Sequence, residues 1–354
     1  MAAIDEIFKL IKEQGASDLH MASGSKPMVR LHSELQSVDY VELTPELNRK
    51  LLYELMTPEQ VHHFERNKEV DFSYEIKGTT RVRCNIFEQK NGIGAVFRLI
   101  PTEILTMEQL NLPDQLKKFC ELPRGLVVVT GATGSGKSTT LAAMVNYINE
   151  RESSHILTIE DPIEFVHPMK KSLINQREVG STTLSFANAL RSALREDPDI
   201  ILVGEMRDLE TIKLALTAAE TGHLVFGTLH TNSAAQTVDR IIDVFPSDEQ
   251  TQIRVMLSDA LKGVVAQRLL PKKEGKGRVA AIEIMVATPA ISNLIREGKT
   301  FQLDSILQTG RKEGMVSMDQ ALATLVEKKL ISLEEAMKHS KDKAFFQRSV
   351  MGGV

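Results

Sequence analysis

Residues 130–140 read Thr130-Gly131-Ala132-Thr133-Gly134-Ser135-Gly136-Lys137-Ser138-Thr139-Thr140. Gly131, four free positions, then Gly136, Lys137 and Ser138 make a complete phosphate-binding loop. The flanks suit it. Leu126-Val127-Val128-Val129 is an apolar, β-branched run that predicts a buried parallel strand. Leu141-Ala142-Ala143-Met144 opens a good helix former. Glycine lets backbone N–H groups curl around phosphate oxygens, and the helix N-terminus adds its dipole. The nucleotide contacts therefore fall on Gly131, Thr133, Gly134, Ser135, Gly136, Lys137, Ser138 and Thr139. Lys137 reaches the outer phosphates, and the Ser138 hydroxyl is a magnesium ligand. ATP and Mg2+ are the expected cofactors.

Downstream of the loop, apolar strands alternate with helices, near 126–129, 155–159, 200–203, 224–229 and 279–286. That is the α/β signature of a mostly parallel sheet with helices on both faces. Upstream, residues 1–100 read as a smaller α/β domain. Ile4, Ile7, Phe8 and Ile11 share a helical face that Gly15 closes, and Thr57-Pro58 starts a second helix. Val70, Phe72, Tyr74 and Ile76 alternate, as do Val82, Cys84 and Ile86, and Asn91-Gly92 turns the chain into the next strand. Residues 101–124 read as a linker, and 125–354 as the nucleotide domain with a helical carboxy-terminal part. There, Thr288-Pro289 caps one helix and Ser332 with Glu335 forms a capping box for another.

Hydrolysis needs more than a phosphate loop: a metal-organising acid, a water-activating carboxylate and charge stabilisation. Ile200-Ile201-Leu202-Val203 runs into Gly204-Glu205, an acid at the carboxyl end of a strand, where such sheets present groups to ligand. Glu205 is assigned to the magnesium–water network, with water activation its main task. His155 to Glu160 is a second strand ending in acids, Glu160 and Asp161, with Glu164 just beyond Pro162; one of these shares water activation. His223 and His230 bracket a third strand and are candidates for sensing the γ-phosphate, the other reading being structural. Arg81, Arg83 and Arg98 lie opposite the apolar set of their sheet. Two readings stay open for them: a solvated face, or a cationic face that meets a nucleotide.

Composition sets bounds. The 354 residues are 42% hydrophobic and 25% charged, with a net charge of -4, which argues against a nucleic-acid partner. Two cysteines, Cys84 and Cys120, fit a reducing compartment. The amino terminus has no signal-peptide pattern, and no run approaches the ~18 apolar residues that span a bilayer. Direct membrane insertion is not expected.

Four blocks together resemble the secretion ATPase superfamily, whose members drive type II secretion and type IV pili. They are the phosphate loop, the acidic box at 158–165, the stretch from Leu194 to Asp208 and the histidine box at 221–232, joined by Gly15-Ala-Ser-Asp-Leu-His20. Gly204-Glu205, atypical of phosphate-loop enzymes at large, is the pattern of this superfamily. Within it the likeness is to pilus retraction ATPases, in compact length and in the segments 278–285 and 288–297. Ser292 departs, standing where retraction ATPases usually have Arg, and leaves room for an accessory paralogue. The resemblance implies a PAS-like domain followed by a RecA-like domain, in a cytoplasmic homohexamer. That ring works on an inner-membrane platform protein and, through it, on the pilin fibre. It strengthens the cationic-face reading of the three arginines. Two other classes remain: a nucleotide-gated regulatory subunit, and a nucleic-acid translocase on the same core.

Overall fold

The computed structural model describes residues 4–31, 34–76, 80–100, 103–275, 277–343 and 346. The chain divides into two compact units, Met1–Glu103 and Ile104–Val354.

The first unit is built on six antiparallel strands: β1 (Asp18–Ala22), β2 (Met28–Leu31), β3 (Glu34–Ser37), β4 (Glu69–Ile76), β5 (Thr80–Gln89) and β6 (Gly92–Ile100), in the order β3-β2-β1-β6-β5-β4. The alternating residues of β5 do what their period predicts: Val82, Cys84 and Ile86 are fully buried, while Arg83 is exposed. The helix Asp5–Glu13 lays Ile7, Phe8 and Ile11 on this sheet, and Phe8 meets Phe97 edge to face at 5.0 Å. The helix Pro58–Asn67 begins in a full capping box between Thr57 and Gln60. β1 to β3 went unforeseen. They are four or five residues long, too short to show a period.

The second unit carries a seven-stranded sheet: β7 (Gly125–Thr130), β8 (His155–Glu160), β9 (Leu173–Glu178), β10 (Ile200–Val203), β11 (Leu224–Leu229), β12 (Leu261–Pro271) and β13 (Arg278–Val286). Its order is β13-β12-β7-β11-β10-β8-β9. All neighbours pair in parallel except β12 with β13. Every residue of β7, β10 and β11 is buried, because helices cover both faces. Leu126 and Val128 point into one core with the helices Leu209–Glu220 and Ala234–Asp243. Val127 and Val129 point into the other, with the helix Lys137–Arg151. Truncating any of these large side chains to Ala would cost about 2–5 kcal/mol.

The stretch expected to be a linker is packed for most of its length. Met107, Leu116, Phe119 and Cys120 are buried against Val127, Val129 and Met144. At the carboxy-terminal side, Thr288 caps the helix Pro289–Arg296. Ser332 caps the helix Leu333–His339, but the reciprocal half of its box is replaced. Glu335 pairs with Lys338 and His339 instead. Among the described residues no helix is long and apolar enough to cross a membrane.

Candidate active site

β7 ends at Thr130, the loop follows, and the helix Lys137–Arg151 begins with Gly136 at its N-cap. Gly131 has φ 145°, and a Cβ there would lie 2.3 Å from the carbonyl oxygen of Gln267. β12 therefore crowds the loop so closely that only glycine fits. Gln267 is the brace. Its Nε2 donates to the Ser135 carbonyl at 2.8 Å, and its Oε1 accepts from the Thr140 hydroxyl at 2.8 Å. Lys137 Nζ folds back over the loop and donates to the carbonyls of Gly131 at 2.7 Å and Ala132 at 3.2 Å. Burial lowers the pKa of this ammonium, while the charges of Glu205 and Glu164 oppose that effect. The Ser135 hydroxyl is buried with no partner among the described protein groups. A helix N-terminus, a lysine and an unsatisfied hydroxyl around one concave loop form an anion cradle. Thr133 and Gly134 line its exposed rim, and Ser138 and Thr139 are half-buried in the first turn of the helix. A cleft of about 300 Å³ opens beside Ala132–Ser135, against the end of β12 at Arg268–Leu270.

Glu205 follows β10 at the same edge of the sheet. The residue before it must be small: a Cβ on Gly204 would sit 3.0 Å from the Ile159 carbonyl oxygen and 3.1 Å from the Glu160 Cα. That close approach explains glycine where an acid is usual. The Glu205 carboxylate is held from two sides. His230 Nε2 stands 3.0 Å from Oε1, Arg207 Nε stands 2.5 Å from the same oxygen, and Arg207 Nη2 donates to Oε2 at 2.7 Å. Burial pushes the Glu205 carboxyl up. The hydrogen bond from Arg207 and the charges of His230 and Arg207 outweigh it and hold the group below its ordinary value. Arg207 is thus the nearest cation to Glu205.

The strand ends are tied together. The Thr231 backbone N–H donates to the Thr130 hydroxyl at 3.0 Å, which links the histidine box to the end of β7. Thr231 and Thr237 share a hydroxyl contact at 2.6 Å, and the Thr228 hydroxyl donates to the Gly204 carbonyl. His230 stands just past β11, and so on the phosphate-loop side.

His223 does not join it. β11 runs parallel to β7, with Leu224 opposite Gly125 and Leu229 opposite Thr130. His223 therefore lies at the far edge of the sheet, beside Gly125, and its Nδ1 lies 3.0 Å from the Ala218 carbonyl oxygen. This corrects the expectation that both histidines sense phosphate: six residues of strand put them at opposite ends. Glu160 is also set aside. It accepts from the Thr158 hydroxyl at 2.6 Å and from Gln176 Nε2 at 3.1 Å, and burial raises its pKa. Glu164 and Asp161 are exposed, and Glu164 is close enough to act on the charge of Lys137.

In the first unit the three arginines share a sheet with an acid. Arg83 on β5 is opposite Arg98 on β6, and Arg98 is opposite Asp18 on β1. Arg98 Nε lies 3.0 Å from Asp18 Oδ1, and Arg83 Nε lies 3.8 Å from Asp71 Oδ1. Burial raises the Asp18 carboxyl, but hydrogen bonds from Ser17 and Arg98 bring it below its ordinary value. Arg81 is half-buried opposite Glu75 and Ile100.

A phosphate cradle thus stands beside a paired Glu–His at adjacent strand ends, and the comparisons with known proteins bear on what such a site serves. Residues 1–338 match the family described as type II/IV secretion system protein. The chain belongs to that family. It is 56% identical, over 96% of its length and 98% of the relative's, to the type IV pilus retraction ATPase PilT of Pseudomonas aeruginosa. It is also 56% identical to a twitching motility protein of Neisseria gonorrhoeae, over 89% of this chain and 84% of that one. The fold matches a crystal structure of the pilus retraction motor PilT with bound ADP. The TM-score is 0.91 and the identity 50%, covering 97% of this chain and 98% of the other. The amino-terminal and RecA-like domains that the resemblance implies are those of the family.

Two site residues had no distinct sequence signal. Gln267 sits inside the run Leu261–Pro271, which was not read as a strand, and only its pairing beside β7 brings it to the loop. Gln176 on β9 accepts from the His167 backbone N–H at 2.8 Å and so secures the acidic loop. Among the described residues no cluster of His, Cys, Asp and Glu forms a ready-made metal cage. Ser138 and Glu205 do offer the oxygen donors magnesium prefers, since that ion takes one or two protein oxygens with substrate phosphates and water.

Proposed function

We propose that this chain is the ATP-hydrolysing motor of type IV pilus retraction. The phosphate loop beside the Glu205–His230 pair carries the reading, and the likeness to retraction ATPases supports it. ATP binds through the loop, with Gly131, Thr133, Gly134, Ser135, Gly136, Lys137, Ser138 and Thr139 around its phosphates. Lys137 exchanges its two neutral carbonyl acceptors for phosphate oxygens, which pairs its ammonium with opposite charge. Ser138 and Glu205 would hold Mg2+, which would supply neutralisation of the phosphate charge. Glu205, kept ionised, orients the attacking water and takes its proton, with Glu164 the second carboxylate at that edge. His230 fixes the Glu205 carboxylate and reports the γ-phosphate. Arg81, Arg83 and Arg98 remain candidates for stabilising charge in the transition state.

In this reading the protein works as a cytoplasmic homohexamer. It pulls on an inner-membrane platform protein and through it removes pilin from the fibre, without entering the membrane itself. The net negative charge and the absence of a basic aromatic stripe weigh against nucleic acid as the load. Ser292, half-buried on the helix Pro289–Arg296, is the one point favouring an accessory role beside a main motor.

The test is Lys137→Ala. The side chain contacts the loop and not a core, so the variant should fold and assemble with an unchanged melting temperature. It should lose ATP turnover, and cells carrying it as the only copy should keep pili that no longer retract. Normal turnover in the folded variant would remove the assignment of the loop. Lost turnover with normal retraction would remove the motor role.

A further inference from the structure

Glu283 lies on β13, inside the segment 278–285 that resembles a retraction element, and it is 1% exposed. Its two oxygens serve two helices. Oε1 accepts from the Ala234 backbone N–H at 2.7 Å, and Oε2 accepts from the Met318 backbone N–H at 3.2 Å. Ala234 and Met318 hold the same position, the first residue of the helices Ala234–Asp243 and Met318–Glu327. Each helix has a serine cap, Ser233 or Ser317, whose side chain already accepts from the amide three residues further on, Gln236 or Gln320. The first amide of each helix is left over, as helix geometry requires. One buried carboxylate takes both.

Such a group is expensive to bury. Burial pushes the Glu283 carboxyl up, while the Ala234 amide, the charge of Lys341 and the Met318 amide pull it down, and Asp304 opposes them. An apolar residue would pack β13 more cheaply, so the geometry asks for another purpose. One follows from what each helix holds. The first turn of Ala234–Asp243 carries Thr237, whose hydroxyl meets Thr231 next to His230. The other helix carries Asp319, whose carboxylate accepts from the backbone N–H groups of Lys341 and Asp342 and so anchors the end of the described chain.

We propose that Glu283 is a positioning residue: it locks the histidine-box helix to the carboxy-terminal helices, and so sets where His230 stands against Glu205. The carboxy-terminal helical layer is then a coupled part of the hydrolytic site. This rests on the reading of Glu205 and His230 as the hydrolytic pair.

The test uses the full-length assembled protein. Glu283→Gln puts an N–H2 donor against one of the two amide donors. Met318→Pro deletes the distant amide together with a buried core side chain, so Met318→Ala, which trims that side chain and keeps the amide, is its control; proline is favoured at a first helical position, and Ser317 already has the extended backbone it needs (φ -75°, ψ 159°). Glu283→Gln should lower kcat about tenfold or more and leave the KM for ATP within about threefold. Met318→Pro should lower kcat several-fold in the same way. In both, the loss should appear in kcat per folded subunit while the KM for ATP holds. A merely structural role would lower kcat only in proportion to the folded fraction. Wild-type kcat per folded subunit in both variants would overturn the proposal, as would loss of activity only in proportion to loss of folded protein. Glu205→Gln runs alongside. If it turns over normally, the hydrolytic reading falls. If it is inactive while the two clamp variants behave as wild type, only the clamp falls.

Discussion

At the scale of single residues, Glu205 and Glu164 are the carboxylates to separate. Glu205 is held by His230 at 3.0 Å and doubly by Arg207, whereas Glu164 is exposed. A side chain fixed by two cations is pre-organised to orient water and needs little rearrangement on substrate binding. Glu205→Gln keeps the shape and removes the charge. It should still bind ATP but lower kcat by about 10²-fold or more, with Glu164→Gln costing less. The reverse order in a steady-state assay would move the base to Glu164. Because Glu205 sits below its ordinary value of 4.5, it stays ionised as pH falls through 6 and 5, so its acid limb should appear only below that value. The phosphate loop, Glu205, Glu164 and His230 are named from sequence pattern alone, and the structure brings Glu205 and His230 within 3.0 Å. The error at His223 has a simple cause. Sequence shows that two histidines flank a strand, but a strand has two ends, and only strand direction in the sheet tells which end faces the ligand.

At the scale of elements, the acidic loop between β8 and β9 offers a pH test. His167 is buried, its Nδ1 has no partner among the described groups, and burial with the nearby Lys170 pushes its pKa down to about 4. The unfolded chain takes up this proton near the ordinary histidine value of 6.5, so between 6.5 and 4 it binds more protons than the folded one. Stability is therefore full above about 6.5, falls as pH drops toward 4, and levels off below. The difference is about 3 kcal/mol. Urea unfolding at pH 7 and pH 4.5 should show wild type losing most of that amount relative to His167→Gln. Parallel losses would mean the loop relaxes and solvates the ring. The elements carrying this loop were only half readable. β8 shows as an apolar run before acids. β9, an edge strand reading Leu-Ile-Asn-Gln-Arg-Glu with alternate residues exposed, has too few apolar positions to announce itself.

At the scale of the whole molecule, the proposed ring makes the arginines informative. Arg83 pairs with an exposed acid, which contributes only about 0–1 kcal/mol, and Arg98 pairs across its sheet with the buried Asp18 carboxylate. If that were their whole role, Arg81→Ala, Arg83→Ala and Arg98→Ala would leave turnover nearly unchanged in the assembled protein. If they stabilise transition-state charge, each should lose about 2–4 kcal/mol of it, or roughly 30- to 1,000-fold in rate. The assay belongs on material shown by sedimentation to be a single six-chain species. Near-normal rates in all three would pass the role to Arg207, which already contacts Glu205.

The sequence by itself determined the chemistry that depends on neighbours along the chain. A phosphate loop needs glycines, a lysine and a hydroxyl within eight residues, and a buried parallel strand needs an unbroken apolar run. Both are local, so both are visible in one dimension. It also determined the layering, because a strand buried on both faces and a helix with one apolar face leave different periods. Only the tertiary structure decided what stands behind that loop. Gln267 reaches it from 132 residues beyond Ser135, Arg207 turns back onto Glu205, and Glu283 joins two helices 84 residues apart, at Ala234 and Met318. Those pairings depend on which strands lie side by side and in which direction they run. That is set by packing of the whole sheet, and no local pattern carries it.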